Sequence, residues 1–296
     1  MSVAVEMMYA VKQVILDAIF FLLGRRVTIR LSRALRNRAM GENHDFTCSR
    51  LNGEPLVAER LLEWEKSQNQ NLIIFDVGAN VGDWSCMFME TAVKKGLSER
   101  IGLHAFEPSL DTYRLLEENV NNRGWKDRVT MVHSGMGSRT GDAILYVDEM
   151  GSARNSLYKR RLKSRGWDNA VVENVTLTTI DEYSRCRGID RILFLKVDAE
   201  GHELEILRGA EEFLDRKSID IIQFEYGNTW VNSRTFFVDM WDYVTKFGYH
   251  IGKIMPKGIE YYSRYDERLE THQRSDFLAI LPEHANIFRR IKPWLD

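Results

Sequence analysis

Four carboxylates in this chain each stand directly after an apolar run: Asp76 after Leu72 to Phe75, Glu107 after Ile101 to Phe106, Asp198 after Arg191 to Val197, and Glu225 after Ile219 to Phe224. Short, uninterrupted apolar runs suit strands buried on both faces of a parallel sheet. Ligands of open α/β sheets bind outside the carboxyl ends of the strands, so the four acids are expected along one rim. There a carboxylate can accept hydrogen bonds from both hydroxyls of a ribose, bind an ammonium group, orient a base or hold a hard divalent cation. His202 follows in Asp198-Ala199-Glu200-Gly201-His202. Its ordinary pKa suits proton removal near neutrality, and the alternative role is a cap on the helix that starts there. Lys196 interrupts an otherwise apolar run, either pairing with Asp198 or Glu225 or snorkelling from an edge. Glu200 either caps the following helix or completes the carboxylate cluster.

The first acid belongs to LIIFDVGANVGDWS, residues 72 to 85, which reads as strand, glycine-rich turn and helix. Val81, Trp84, Phe88 and Ala92 recur at helical spacing after the turn. Gly78 and Gly82 allow positive φ and close backbone approach, while the helix aims unpaired N–H groups over the strand end. A nucleoside fits there; a tight turn without a ligand is the bland alternative. The spacing is G-x-x-x-G rather than G-x-G-x-x-G, and Glu107 lies further on than the roughly 20 residues of a dinucleotide site. Both features disfavour NAD.

The remaining elements follow in order. Ser109 is placed to cap a helix from Leu110 to Asn122, and Arg128 to His133 forms a strand. Gly135, Met136, Gly137 and Ser138 then stand where an adenine would lie. His133 serves the end of its strand. After a strand from Ala143 to Val147, residues 151 to 167 carry Arg154, Lys159, Arg160, Arg161, Lys163 and Arg165. This basic insertion is either a lid over an acidic substrate or a solvated loop. Val175 to Ile180 is a strand, Phe236 to Phe247 a helix, and Tyr249 to Met255 with Phe277 to Leu281 an antiparallel hairpin at the sheet edge. Trp230 and Tyr261-Tyr262 either stack on a sugar face or pack internally.

Composition sets the frame. A chain of 296 residues with net charge -2 is an ordinary globular protein, and that charge argues against bulk binding to nucleic acid. Cys48, Cys86 and Cys186 form no metal cluster or disulfide framework, which fits the cytoplasm. Residues 5 to 23 form an amphipathic helix interrupted by Glu6, Lys12, Gln13 and Asp17, too polar to span a bilayer. Arg25, Arg26, Arg30, Arg33, Arg36 and Arg38 follow. Peripheral attachment of residues 5–38 to the inner face of an anionic membrane is one reading; packing on the main domain or on a second subunit of a homo-oligomer is the other. The expected division is a helical extension and linker over residues 1–70, then one domain over residues 71–296.

Taken together, FDVGANVGDWS from Phe75, AFEPS from Ala105, VTLTTIDEY from Val175, FLKVDAEGHELEILRGA from Phe194 and FEYG from Phe224 resemble the FkbM family of S-adenosylmethionine-dependent O-methyltransferases. The resemblance implies a Rossmann-like, doubly wound α/β fold with a seven-stranded class I methyltransferase sheet. It implies methyl transfer to a hydroxyl, with acceptors ranging from sugars of surface polysaccharides to macrolide hydroxyls; a sugar of a surface polysaccharide or of a glycosylated metabolite is the expected one here. On this reading Asp76, Gly78, Asn80, Gly82, Glu107, Ser109, Met136 and Asp198 hold the cofactor. His202, Asp198 and Glu225 lie near the acceptor, with Asp198 and Glu225 also the candidate ligands of a Mg²⁺ ion. The rivals are a cofactor-binding scaffold that uses the N-terminal helix as its contact surface, and an NAD-dependent oxidoreductase.

Overall fold

Every second residue of β1, Leu72–Val77, faces the same side of the sheet, and both sides are apolar. Phe75 and Val77 enter one core, with Leu195, Ile206, Phe224 and Phe237; Leu72 and Ile74 enter the other, with Leu61, Phe88, Leu103 and Leu116. That is why the segment reads as a continuous apolar run and not as an alternation.

The computed structural model describes residues 3–42, 52–68, 70–148, 151–160 and 171–295. The chain forms two compact units, Met1–His44 and Asp45–Asp296. In the first, a helix runs Val3–Met40, interrupted at Gly24, and so continues through the arginines that follow the expected helix. No helix among the described residues is long and apolar enough to cross a membrane.

In the second unit the strands after β1 are β2 (Ile101–Phe106), β3 (Val129–Val132), β4 (Gly135–Met136), β5 (Gly141–Val147), β6 (Val171–Thr178), β7 (Ile192–Val197) and β8 (Ile219–Tyr226), then β9 (His250–Met255), β10 (Gly258–Tyr261), β11 (Ser275–Ile280) and β12 (Arg290–Ile291). The main sheet has the order β12-β10-β9-β11-β8-β7-β1-β2-β3, and β4, β6 and β5 form a second sheet. Strands β3, β2, β1, β7 and β8 are parallel, while β11 runs antiparallel to both β8 and β9.

The expected α/β fold is present with its helices on both faces, but the main sheet has nine strands where seven were expected. The extra pair, β10 and β12, are four and two residues long and add to one edge. Short strands of this kind leave little hydrophobic periodicity to read. The pair expected as an edge hairpin, β9 and β11, is adjacent and antiparallel but outflanked by β10 and β12. The helix Glu54–Glu65 falls within the residues assigned to the extension and linker, yet it buries Val57, Ala58, Leu61 and Leu62 in the second unit's core.

Candidate active site

The carboxyl ends of β1, β2 and β7 converge on one cleft, and the turn after β1 makes that convergence sterically possible. Gly78 has φ 80°, and a Cβ there would lie 1.9 Å from the carbonyl oxygen of Asp198. The strand tips are pulled together by the Asp198 N–H, which donates to the Val77 carbonyl at 3.0 Å. Gly78 and Ala79 both donate to the Phe106 carbonyl, at 3.0 and 2.9 Å. Asn80 then takes a left-handed φ of 51°, which turns its N–H toward Glu107.

Both oxygens of Glu107 are fixed by main chain: Asn80 N–H donates to Oε2 at 3.0 Å and Ser109 N–H to Oε1 at 2.9 Å. Burial pushes the carboxyl up to about 7, against the lowering effect of these two donors. Each oxygen keeps a lone pair for a further donor, which is what a pair of vicinal hydroxyls requires. Ser109 was expected to cap the next helix through its side chain, and it makes no such bond. The Leu110 N–H, at the first helical position, donates to Glu173 Oε1 at 2.7 Å, while the Ser109 N–H holds Glu107.

Asp76 lies under the cleft, fully buried, and is not on its wall. It accepts from Ser85 Oγ at 2.6 Å, and Lys196 Nζ stands 3.6 Å from its other oxygen. The pairing of Asp76 with Lys196 across β1 and β7 sets this contact. Lys196 also donates to Asp198 Oδ2 at 3.1 Å, so one buried ammonium bridges two acids. Burial raises the carboxyl pKa of Asp198, but the charges of Lys196 and Arg274 outweigh it and hold that pKa below the usual range. Gly82, with φ 84°, is likewise off the wall; a Cβ there would lie 2.5 Å from Leu116 Cδ1, so it serves the packing of two helices.

Two positive-φ residues, Glu200 at 52° and Gly201 at 105°, turn the chain from β7 toward His202. Glu203 holds this turn, accepting from Ala199 N–H at 2.8 Å and from Gly201 N–H at 3.0 Å. Burial pushes the Glu203 carboxyl up to about 8. His202 makes no side-chain cap. Its Nδ1 lies 2.9 Å from the Tyr158 hydroxyl, and burial lowers its pKa to about 4, so the ring is neutral at physiological pH. Nε2 would stand 3.1 Å from a Cβ at Gly137, which only glycine leaves open.

The described part of the basic insertion is a wall of the cleft. Ser152 O accepts from Asn80 Nδ2 at 2.9 Å, Ser156 Oγ donates to Glu200 O at 2.8 Å, and Arg160 pairs with Glu200. Arg161, Lys163 and Arg165 lie outside the described residues. The cleft holds about 680 Å³ of empty space, part of it open to solvent. Gly78, Asn80, Glu107, Met136, Asp198 and His202 line it together, as does Glu200.

Glu225 stands off the wall, paired with Arg274; burial, then the charge of Asp198, pushes its carboxyl up to about 7. Asp198 and Glu225 thus each face a cation, and among the described residues no group of three or more His, Cys, Asp or Glu is arranged to hold a metal. Mg²⁺ gains no support. Trp230 is 1% exposed, with its indole N–H on Glu225 O at 3.1 Å, so it packs internally. Tyr261 donates to Ala285 O at 3.2 Å, and Tyr262 is buried. His133 reaches the Pro108 carbonyl at 3.1 Å, at the end of its strand as expected.

Glu203, Tyr158, Arg160 and Arg274 were not singled out individually from the sequence as site residues. Glu203 hides in a helical pattern, and the other three come from loops whose path no local period encodes. The residues present fit an adenosyl cofactor: a clamped carboxylate for the diol, and Met136, Pro108 and Leu177 as apolar walls beyond it.

Comparison with known proteins identifies the family. Residues 76–251 match the methyltransferase FkbM domain. The chain is 28% identical over 179 residues to the hexuronic acid methyltransferase AglP of Haloferax volcanii, covering 60% of this chain and 64% of that one. It is 28% identical over 165 residues to the methyltransferase sdnD of Sordaria araneosa, covering 48% of this chain and 61% of that one. The match therefore spans a little under two thirds of these relatives. Among solved structures, that of methyltransferase FkbM from Methylobacillus flagellatus is similar at 14% identity and a TM-score of 0.42, over 85% of this chain and 59% of that one.

Proposed function

The chain belongs to the FkbM methyltransferase family, and from that premise we propose that it moves a methyl group from S-adenosylmethionine to a hydroxyl of a sugar in a glycan or glycosylated metabolite. The observation that carries the reading is Glu107, whose two oxygens are clamped by Asn80 and Ser109 N–H groups at the cleft wall and keep lone pairs for a ribose diol. Gly78 lets the cofactor approach the turn, Met136 backs the adenine, and Asp198 is available to an ammonium group. The bound cofactor supplies an electrophilic methyl carbon; the protein must align the acceptor oxygen with it and remove the hydroxyl proton. His202 is the candidate base, neutral at pH 7. Nε2 can accept a proton when Nδ1–H donates to the Tyr158 oxygen, a contact of 2.9 Å.

An acidic sugar is the favoured acceptor. The described residues 151–160 line or adjoin the cleft and carry Arg154, Lys159 and Arg160, the sequence that follows is also basic, and one relative is named for hexuronic acid. The test has two stages. Calorimetric titration with S-adenosylhomocysteine, beside NAD, should show micromolar binding of the homocysteine compound alone; a preference for NAD overturns the cofactor assignment. Transfer of labelled methyl to uronic-acid-containing oligosaccharides should then give an alkali-stable ether. An alkali-labile product would mean that the carboxylate is the acceptor, and the hydroxyl reading would fall.

A further inference from the structure

The N-terminal unit carries a helix that the methyl-transfer reading leaves unused. It runs Val3–Met40 and is interrupted at Gly24, where φ is 68° and ψ 160°. Before the interruption large apolar side chains are exposed, Phe21 at 87% and Leu22 at 79%. At about 100° per residue, Val11, Ile15, Leu16, Phe20, Phe21 and Leu22 cover most of the helix circumference, while Gln13 and Asp17, four apart, share one narrow stripe. After Gly24 the pattern changes. Val27, Leu31 and Leu35 recur every four residues and are exposed. Arg25, Arg26, Arg33 and Arg36 fall on the opposite face, Arg30 stands at its margin, and Arg38 falls within the apolar row. No acidic residue occurs between Asp17 and Glu42, and Glu42 pairs with Arg36 at 3.5 Å.

We propose that residues 3–40 are a binding element for an anionic phospholipid surface, lying in the headgroup region without crossing the bilayer. The first half sinks its wide apolar face to the acyl boundary and keeps the Gln13–Asp17 stripe toward water. The second half sets its Val27, Leu31, Leu35 row against the lipid, and the arginines reach round to phosphates, which guanidinium groups grip bidentately. Lys12, which falls within the wide apolar face, reaches the headgroups by snorkelling. A spanning role fails on the absence of a sufficiently apolar helix among the described residues. A second copy of the chain is a poor occupant, because the arginine face would meet itself with no acidic partner in that stretch.

Flotation of the full chain with phosphatidylglycerol-containing vesicles, beside pure phosphatidylcholine vesicles, tests this. At low salt the chain should float with the anionic vesicles at least roughly tenfold more than with the neutral ones, and high salt should release it. Replacing Arg25, Arg26, Arg30 and Arg33 by Gln should remove the preference for anionic lipid. The pair Phe20→Ser and Phe21→Ser should weaken flotation, with an unchanged circular dichroism melt as the check on folding. Failure to float with anionic vesicles at low salt overturns the proposal, and so does equal flotation with both vesicle types. A dimer in light scattering that the Phe20→Ser and Phe21→Ser pair dissolves, without vesicle binding, would instead make this face an interface between copies.

Discussion

Glu107 links the protonation of a single residue to ligand binding. Its carboxyl is raised from an ordinary 4.5 to about 7, so folding favours the protonated form. In the ligand-free protein that contribution is complete below about pH 4.5 and is lost as pH rises through about 7, a difference of roughly 3 kcal/mol at most. A ribose diol needs the ionised form as acceptor, so cofactor affinity should rise with pH over the same window. Calorimetry with S-adenosylhomocysteine is expected to give about tenfold weaker binding near pH 6 than near pH 8. Glu107→Gln should flatten that slope and weaken binding by about 1.5–3 kcal/mol per lost charged hydrogen bond. His202 should behave differently. His202→Ala is expected to lower kcat by roughly 10²–10⁴-fold while leaving S-adenosylhomocysteine affinity near wild type. With its pKa lowered to about 4, wild-type kcat at saturating cofactor should show no acid limb near the ordinary histidine value. Equal turnover by the two proteins would remove His202 from the chemistry.

Between elements, the approach of β1 to β7 is the contact on which the cleft depends. Gly78→Ala forces a methyl to 1.9 Å from the Asp198 carbonyl at a φ of 80°. The expected cost is about 2–5 kcal/mol in denaturant melts, together with loss of cofactor binding. Gly96→Ala is the control: φ is 73° but nothing lies within 4 Å, so only the backbone penalty of about 1–2 kcal/mol should appear. Beneath the same contact Lys196 bridges Asp76 and Asp198. Lys196→Met leaves the buried Asp76 and the half-buried Asp198 without their shared cation, which should destabilise the fold by about 3–5 kcal/mol. The deficit should narrow as pH falls, because the orphaned carboxyls can then protonate; a deficit independent of pH would show that the bridge is not its source.

At the scale of the whole molecule, apolar cores on both faces hold the sheet, and the helix Glu54–Glu65 closes part of one of them. Leu61 is fully buried there, so Leu61→Ala should cost about 2–5 kcal/mol, as for a residue of the central strands. We therefore propose that the catalytic unit begins before this helix. A chain starting at residue 71 should melt lower and bind a hydrophobic dye, because it uncovers the surface that Val57, Leu61 and Leu62 bury. An unchanged melting temperature would restore the boundary at residue 70.

The sequence by itself determined the strands and their acidic tips. Six expected site residues, Gly78, Asn80, Glu107, Met136, Asp198 and His202, share the cleft wall because strand periodicity and the glycine turn are local properties that tertiary context did not override. The short strands β10 and β12 were beyond such reading, since pairing across the sheet and not a local pattern makes them strands. The roles of the acids were also decided in three dimensions. Asp76, Glu107, Asp198 and Glu225 look alike as strand-end acids, yet Asp76 faces Lys196 under the cleft, Glu225 faces Arg274 off its wall, and Glu107, among the described residues, accepts from backbone N–H groups. Which acid is neutralised and which keeps lone pairs for a ligand depends on a cation from another strand or a distant loop. Chain packing brings those cations into place, and no spacing along the chain encodes it.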